Sequence, residues 1–267
     1  MKSILFYANE DKGIDQRLDA VLCLSSQFDC LVNCVQVTPY NSFIMADPFG
    51  GVYALPIVVE HIGEAETAHR LRIEDTLRRQ RIRWEWQNYE GNPGHVLLER
   101  SRLADMTVVS LPDENASESL SIAAGLAIGA RSPILAMPVA GNSFTCNGDA
   151  LIAWNGSMEG AYAMRCAVPL LKWSSAVHLV SIAGKKDLAP QEEAIHYLLQ
   201  HGIHADVHQA IQGEGSVADA LLQTATEVGA HYIVAGAYGH SRLREAILGG
   251  VTDDLIAGST LPLLLAH

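Results

Sequence analysis

Two stretches of this chain open alike, and that repetition limits the folds open to it. Residues 3–37 read SILFYANEDKGIDQRLDAVLCLSSQFDCLVNCVQV and residues 150–182 read ALIAWNGSMEGAYAMRCAVPLLKWSSAVHLVSI. Each begins with a short apolar run that ends in an Asn turn. An amphipathic segment follows, and then a second apolar run. The two halves also close alike, with ADMTVVS before ARSPILAMPV and GAHYIVAG before GSTLPLLLA. Short apolar runs alternating with helical periodicity predict βαβ units, and right-handed crossovers make such a sheet parallel. The expected fold is therefore α/β, with two tandem, doubly wound, Rossmann-like, parallel five-stranded sheets. The expected halves are residues 1–141 and 149–267, and the polar linker GNSFTCNGD spans 141–149.

In the first half, strands are expected at 4–8, 31–37, 82–89 and 106–110, and helices at 13–27, 58–80 and 94–102. The small-residue run 119–131 reads as a buried helix. Residues 38–56, rich in Pro, Gly, Asn and Phe, read as a long loop. Its apolar side chains Phe43, Ile44, Met45, Phe49 and Tyr53 suggest that it packs on something. In the second half, strands are expected at 151–154, 177–182, 205–210 and 232–235, and helices at 158–171, 185–200 and 216–228. Ser216 is placed as an N-cap, with Gly229 past the helix end.

The 267 residues are 49% hydrophobic and carry a net charge of −12. The apolar share is ample for a core. The acidic balance argues against a broad nucleic-acid surface and against an anionic membrane face. Residues 119–131 fall short of the about 20 needed to cross a bilayer. Residues 4–7 are too short for a signal core, so a cytoplasmic location is expected. Five cysteines, mostly in apolar runs, read as reduced thiols. Cys30 and Cys34 share a strand face but would stand about 13 Å apart, too far for a working pair. His201, His204 and His208 read as surface residues rather than a metal cluster. His61, Glu64, His69, Arg70 and Arg72 read as a mixed solvated helix face.

The densest run of chemistry is HYIVAGAYGHSRLREAILGGVT, residues 231–252. A buried strand, Tyr232 to Ala235, leads into Gly236 and Gly239. A basic loop with His240, Ser241, Arg242 and Arg244 follows, then Gly249, Gly250, Val251 and Thr252, where a helix begins. Glycines let a backbone approach a ligand closely, and free N–H groups at a helix start attract phosphate. Ordinary turn punctuation is the alternative for the same glycines. In doubly wound sheets, ligands sit beyond the carboxyl ends of the strands where strand order reverses. That brings Ala153, Trp154 and Asn155 of the first strand, Ile182 of the second and Ala235 of the fourth to one place.

Gly236-x-x-Gly239, nine residues, then Gly249 and a small residue, resembles the ATP-binding signature of the universal stress protein family. The closing Gly249-Gly250-Val251-Thr252, a helix and Pro262-Leu263-Leu264-Leu265 fit the same family. The resemblance covers nearly the whole chain, as a tandem pair. It implies a fold like that of the adenine nucleotide α-hydrolases and a stress-response regulatory protein binding ATP or AMP, with Mg an option beside ATP. It implies backbone contacts from Ile182 to adenine, and phosphate contacts from Gly239, Gly249, Gly250 and Val251 with help from the Thr252 hydroxyl. This chain departs from the pattern twice. Gly250 stands where Ser or Thr is common, and Asn155 stands where an Asp is usual. Asn155 and Ser157 also read as caps of the following helix.

In the first half, Ser110 and Asp113 fall where Gly236 and Gly239 stand, with Pro112, Glu114 and Glu118 nearby. Carboxylates repel phosphate and Pro lacks a donor, so that half is expected to bind no nucleotide. The resemblance implies pairing through last strands, here 134–139 with 261–265 within the chain; a homodimer stays open. No general base stands near the phosphate loop, so no enzyme activity beyond weak ATP hydrolysis is expected. The rival reading is a nucleotide-free interaction scaffold. A third, an ATP-cleaving enzyme of the α-hydrolase type, lacks its phosphate loop near the N-terminus.

Overall fold

The computed structural model describes residues 1–39, 45–46, 52–53, 56–113, 122–141, 143–183, 190–239 and 250–267. The first half runs β1 (Ser3–Tyr7), α1 (Ile14–Phe28), β2 (Leu31–Thr38), β3 (Met45–Ala46), β4 (Val52–Tyr53), α2 (Pro56–Arg79), β5 (Arg83–Glu90), α3 (Pro93–Arg100), β6 (Met106–Ser110), α4 (Ile122–Gly129) and β7 (Ile134–Met137). The second half runs β8 (Ala150–Ala153), α5 (Met158–Leu171), β9 (Val177–Ile182), α6 (Gln191–Gln200), β10 (Asp206–Ala210), α7 (Val217–Glu227), β11 (Tyr232–Gly236), α8 (Val251–Gly258) and β12 (Leu263–Ala266). Within the stretch read as one long loop, β3 and β4 pair antiparallel; Phe43, Ile44 and Phe49 lie outside the described residues. So do residues 185–189 of the expected 185–200 helix.

Each half contributes five parallel strands in the same spatial order, β5-β2-β1-β6-β7 and β10-β9-β8-β11-β12. The two sets join where β7 and β12 pair antiparallel, Leu263 opposite Ala136 and Leu265 opposite Ile134. One ten-stranded sheet results, and it is wound on both faces. Successive side chains of a strand point to opposite faces. Accordingly Ile4, Phe6, Leu264 and Ala266 belong to one core cluster, and Leu5, Tyr7, Leu263 and Leu265 to the other. Each cluster runs through both halves.

Helix ends follow local chemistry. Ser216 caps α7 in a full capping box with Asp219, and Gly229 follows the helix at φ +68°. Ser157 caps α5 by accepting from Gly160 N–H. His69 is a correction to the expected solvated face of α2. It is buried, and its Nε2 lies 2.7 Å from the Ala8 carbonyl oxygen.

The halves repeat one tight contact. At the end of β11, a Cβ on Gly236 would stand 2.4 Å from Gly160 N and 2.6 Å from the Glu159 carbonyl carbon. At the end of β6 the bulk sits on the strand instead: a Cβ on Gly13 would meet Ser110 Oγ at 2.2 Å. In both places a helix start presses against a strand end, and one partner must lack a side chain.

Past that contact the halves differ. In the first, the fully buried Arg17 fills the ground beyond β1 and β6. Its Nε donates to Tyr7 O at 2.8 Å and Nη2 to Asn9 O at 2.8 Å. Nη1 reaches Asp11 Oδ1 at 2.8 Å and Ser110 Oγ at 2.5 Å. Asn9 also closes the edge of β2: Val37 N–H donates to its Oδ1 and its Nδ2 donates to Val37 O, both at 2.7 Å. Asp113 is held by Lys12 at 2.5 Å. Glu114 and Glu118 lie outside the described residues.

Two substitutions test this frame on protein without ligand. Gly236→Ala should destabilise by about 3 kcal/mol in urea unfolding, because the added methyl meets helix backbone that cannot rotate away. An effect under about 0.5 kcal/mol would show that the strand end has slack. Arg17→Met keeps the volume but strands the Tyr7 and Asn9 carbonyls, and should cost about 3 kcal/mol. Wild-type stability in that variant would mean the guanidinium plugs nothing.

Candidate functional site

Beyond the carboxyl ends of β8, β9 and β11 lies a cavity of about 380 Å³. That falls in the usual range for small-molecule sites. Val180 and Ile182 of β9, Val217 and Leu221 of α7 and Leu255 of α8 give it apolar walls. Ala153, Trp154 and Asn155 border it after β8, and Ala235, Gly236 and Gly239 after β11. Gly250, Val251 and Thr252 close it at the start of α8. Ten of the expected site residues thus share one hollow. The other two, His240 and Gly249, lie outside the described residues, as do Ser241, Arg242 and Arg244.

The edge of β9 faces this hollow. In a parallel strand the N–H and C=O of one residue point to the same side, and alternate residues point the same way. Val180 O accepts from Trp154 N–H at 2.8 Å, so the Ile182 amide and carbonyl point to that side too. β8 has ended by then, at Ala153, and the space beyond is the cavity. In the first half the matching residue is Val37, by the registers Tyr7–Val35 and Ala153–Val180. There the Asn9 amide occupies both groups. Its counterpart Asn155 turns elsewhere, accepting from Ser157 N–H at 3.0 Å. Ser157 caps α5, its Oγ taking Gly160 N–H at 3.0 Å, and Asn155 braces that cap residue, a role compatible with a place at the site border.

The mouth is formed by α8. Gly250 is its N-cap, in extended conformation, and no side chain among the described residues caps the helix. The first-turn amides of such a helix carry partial positive charge. Thr252 is buried and its Oγ1 accepts from Tyr238 N–H at 3.2 Å, while its hydroxyl proton stays available to donate. Tyr238 sits in the left-handed region, φ +50°, and its hydroxyl donates to Asp253. The Tyr238 ring is thereby tied to α8, and Tyr238 also lines the cavity.

Glu159 was not anticipated from sequence. It lies in the first turn of α5 and lines the cavity. Among the described residues its Oε2 is buried without a hydrogen-bond partner, and a Cβ on Gly239 would stand 3.0 Å from it. A signal existed in the string NGSMEG: an acid two residues after the cap can face the crevice that the preceding strand end borders. Val217, Leu221 and Leu255 were missed because apolar helix positions carry no mark separating a wall from a core.

Elsewhere, no group of three or more His, Cys, Asp or Glu among the described residues is arranged to hold a metal. His208 Nε2 lies 3.1 Å from His178 Nδ1 across β9 and β10. Cys30 and Cys34 are buried free thiols. No described helix is long and apolar enough to cross a membrane.

Comparison with known proteins agrees with this geometry. Residues 166–267 match the family model described as the universal stress protein family. No curated protein matches the chain. Among solved structures, a universal stress protein from Archaeoglobus fulgidus DSM 4304 superposes with a TM-score of 0.78 at 14% identity, covering 99% of this chain and 95% of that one. A functionally unknown protein from Pseudomonas aeruginosa PAO1 gives a TM-score of 0.67 at 12% identity, covering 100% and 92%. A candidate universal stress protein from Pseudomonas aeruginosa UCBPP-PA14 gives 0.64 at 13% identity, covering 100% and 93%. The chain carries a universal stress protein domain over residues 166–267 and has, along its full length, the fold of that family's Archaeoglobus protein.

Proposed function

We propose that the second half binds an adenine nucleotide, ATP or AMP, and that the protein acts through this binding as a regulator rather than as a catalyst. The observation that carries the reading is the β9 edge. Ile182 offers an N–H and a C=O to an apolar hollow, the pattern that pairs with the amino edge of adenine. The first half closes the same edge with its own Asn9 amide. The base would lie between Ile182, Val217 and Leu221. Ala153, Trp154 and Asn155 would border the ribose, with Ala235 and Gly236 beneath it. The phosphates would meet the backbone of Gly239, Gly250 and Val251 and the Thr252 hydroxyl. His240 and Gly249 join this set on the sequence pattern alone. Mg, where present, would accompany ATP. In the first half Arg17 and Asn9 occupy the corresponding ground, so one nucleotide per chain is proposed.

The scaffold reading draws on a different observation. Glu159 places a buried carboxylate oxygen beside Gly239, and a carboxylate repels phosphate. The two readings part on a thermal-shift titration. With a Kd near 10 μM, 1 mM nucleotide stabilises by about 2.7 kcal/mol, which raises Tm by several degrees. No shift with ATP, AMP or adenosine leaves the scaffold.

Gly250→Asp separates phosphate recognition from folding. Gly250 has φ −127° and open space where a Cβ would go, so the change fits. The new carboxylate would cap α8, stabilise the free protein by a few tenths of a kcal/mol and occupy the amides. ATP affinity should fall at least tenfold while adenosine binding holds, by calorimetry. Equal loss of both ligands would move the phosphates away from α8. Glu159→Gln should act oppositely, tightening ATP about tenfold, or about 1.4 kcal/mol, with little effect on adenosine. Unchanged ATP affinity would show that the carboxylate does not face the phosphates.

A further inference from the structure

The segment that joins the halves lies along one face of α1. Gln16 Nε2 donates to Gly141 O at 3.3 Å, Ser143 Oγ donates to Asp19 Oδ2 at 3.2 Å, and Cys146 N–H donates to Cys23 Sγ at 3.1 Å. Gln16, Asp19 and Cys23 follow at helical spacing, so the segment descends the helix in register. Phe144 anchors it, buried and edge-on to Tyr232 at 5.7 Å. A turn closed by Gly148 N–H on Thr145 O follows at once. Cys146 is thereby held in place, and its Sγ lies 3.1 Å from that of Cys23. Both are free thiols; Cys23 is partly buried and Cys146 is buried.

We propose that Cys23 and Cys146 form a hydroperoxide-oxidised dithiol whose disulfide ties the linker to α1. Cys23 is the attacking sulfur, because it is the less buried of the two and accepts from the Cys146 backbone N–H. The Cys146 thiol and backbone N–H lower the Cys23 thiol to about 7 against the opposing effect of burial. The hydrogen bond with Cys23, and then burial, push Cys146 up. Burial likewise raises Cys30, Cys34 and Cys166, so Cys23 alone is tuned toward thiolate.

The Cys23 thiolate attacks one peroxide oxygen; an S–O bond forms, the O–O bond breaks and hydroxide leaves, becoming water with the thiol's proton. The Cys146 sulfur then attacks the Cys23 sulfenic sulfur; the S–S bond forms, the S–O bond breaks, and hydroxide leaves as water with the Cys146 proton. Two thiols are oxidised and one peroxide is reduced to two waters. The inference is independent of what the cavity binds.

The test uses the reduced full-length protein with one equivalent of hydrogen peroxide, then alkylation, intact mass and peptide mapping. Free thiols should drop from the five in the chain to three. The mass should fall by about 2 Da, one peptide pair should join Cys23 to Cys146, and dithiothreitol should reverse all three. Cys146→Ser should stop at a Cys23 sulfenic acid that dimedone labels. A chain with both residues still alkylated, a cross-link between other cysteines, or sulfinic acid on Cys23 beside a free Cys146 would overturn the proposal. So would an unlabelled Cys23 in Cys146→Ser.

Discussion

The antiparallel pairing of β7 with β12 decides what kind of object this chain is. A five-stranded parallel sheet ends in a row of unpaired backbone groups, and such an edge invites another chain. Here each half covers the other's last edge. The alternation of side chains then carries through the seam, so Leu135 and Leu264 continue one core while Ile134, Ala136, Leu263 and Leu265 continue the other. Burial that would be marginal for a short terminal strand becomes central in a ten-stranded sheet. Tyr162 of α5 adds a bond across the junction, donating to Arg131 O at 2.7 Å.

Within that shared frame the halves solve one problem in two ways. Where strand order reverses, strand ends present polar groups that no neighbouring strand satisfies. The first half answers with its own side chains: Arg17 takes Tyr7 O and Asn9 O, and Asn9 takes Val37. The second half has Met164 one turn into α5 where Arg17 stands in α1, by the matching glycines Gly13 and Gly160. Met164 is buried in the core, and Asn155 instead accepts from the N–H of Ser157, the residue that caps α5. The ground beyond β8 and β11 therefore stays hollow. Filling against leaving open, rather than the count of glycines, is the physical difference between a closed half and a candidate site.

The fold was legible because it rests on periodicity. Strands 106–110 and 177–182 and helix 158–171 have the bounds that their apolar runs imply, and Ser216 with Asp219 is a local signal that needs no partner. Glycines were legible only in part. Gly236 belongs to the expected site, yet the contact that forbids its side chain is with Gly160, a packing reason that spacing could not distinguish from a ligand. Arg17, Glu159, His69 and Cys23 were not legible at all. Each owes its character to residues far away in the chain: Arg17 to Ser110, His69 to Ala8, Cys23 to Cys146. A buried arginine in a helix written IDQRLDAVL looks, from sequence, like one more solvated charge.

Helix α8 joins the site to the seam. Its start, Gly250 and Val251, borders the cavity, and its end leads within a few residues into β12, the strand that pairs with β7. It also touches α4 of the first half across the junction. Tyr238 fastens the same helix from the other side, through Thr252 and Asp253. Any ligand that takes up the α8 amides therefore acts on an element already shared by both halves. A change there reaches the interface through one rigid helix of eight residues, without a chain of side-chain rearrangements. In the first half Arg17 and Asn9 fill the corresponding strand ends, so the arrangement is one-sided, and α4 of that filled half supplies a surface against which α8 is held.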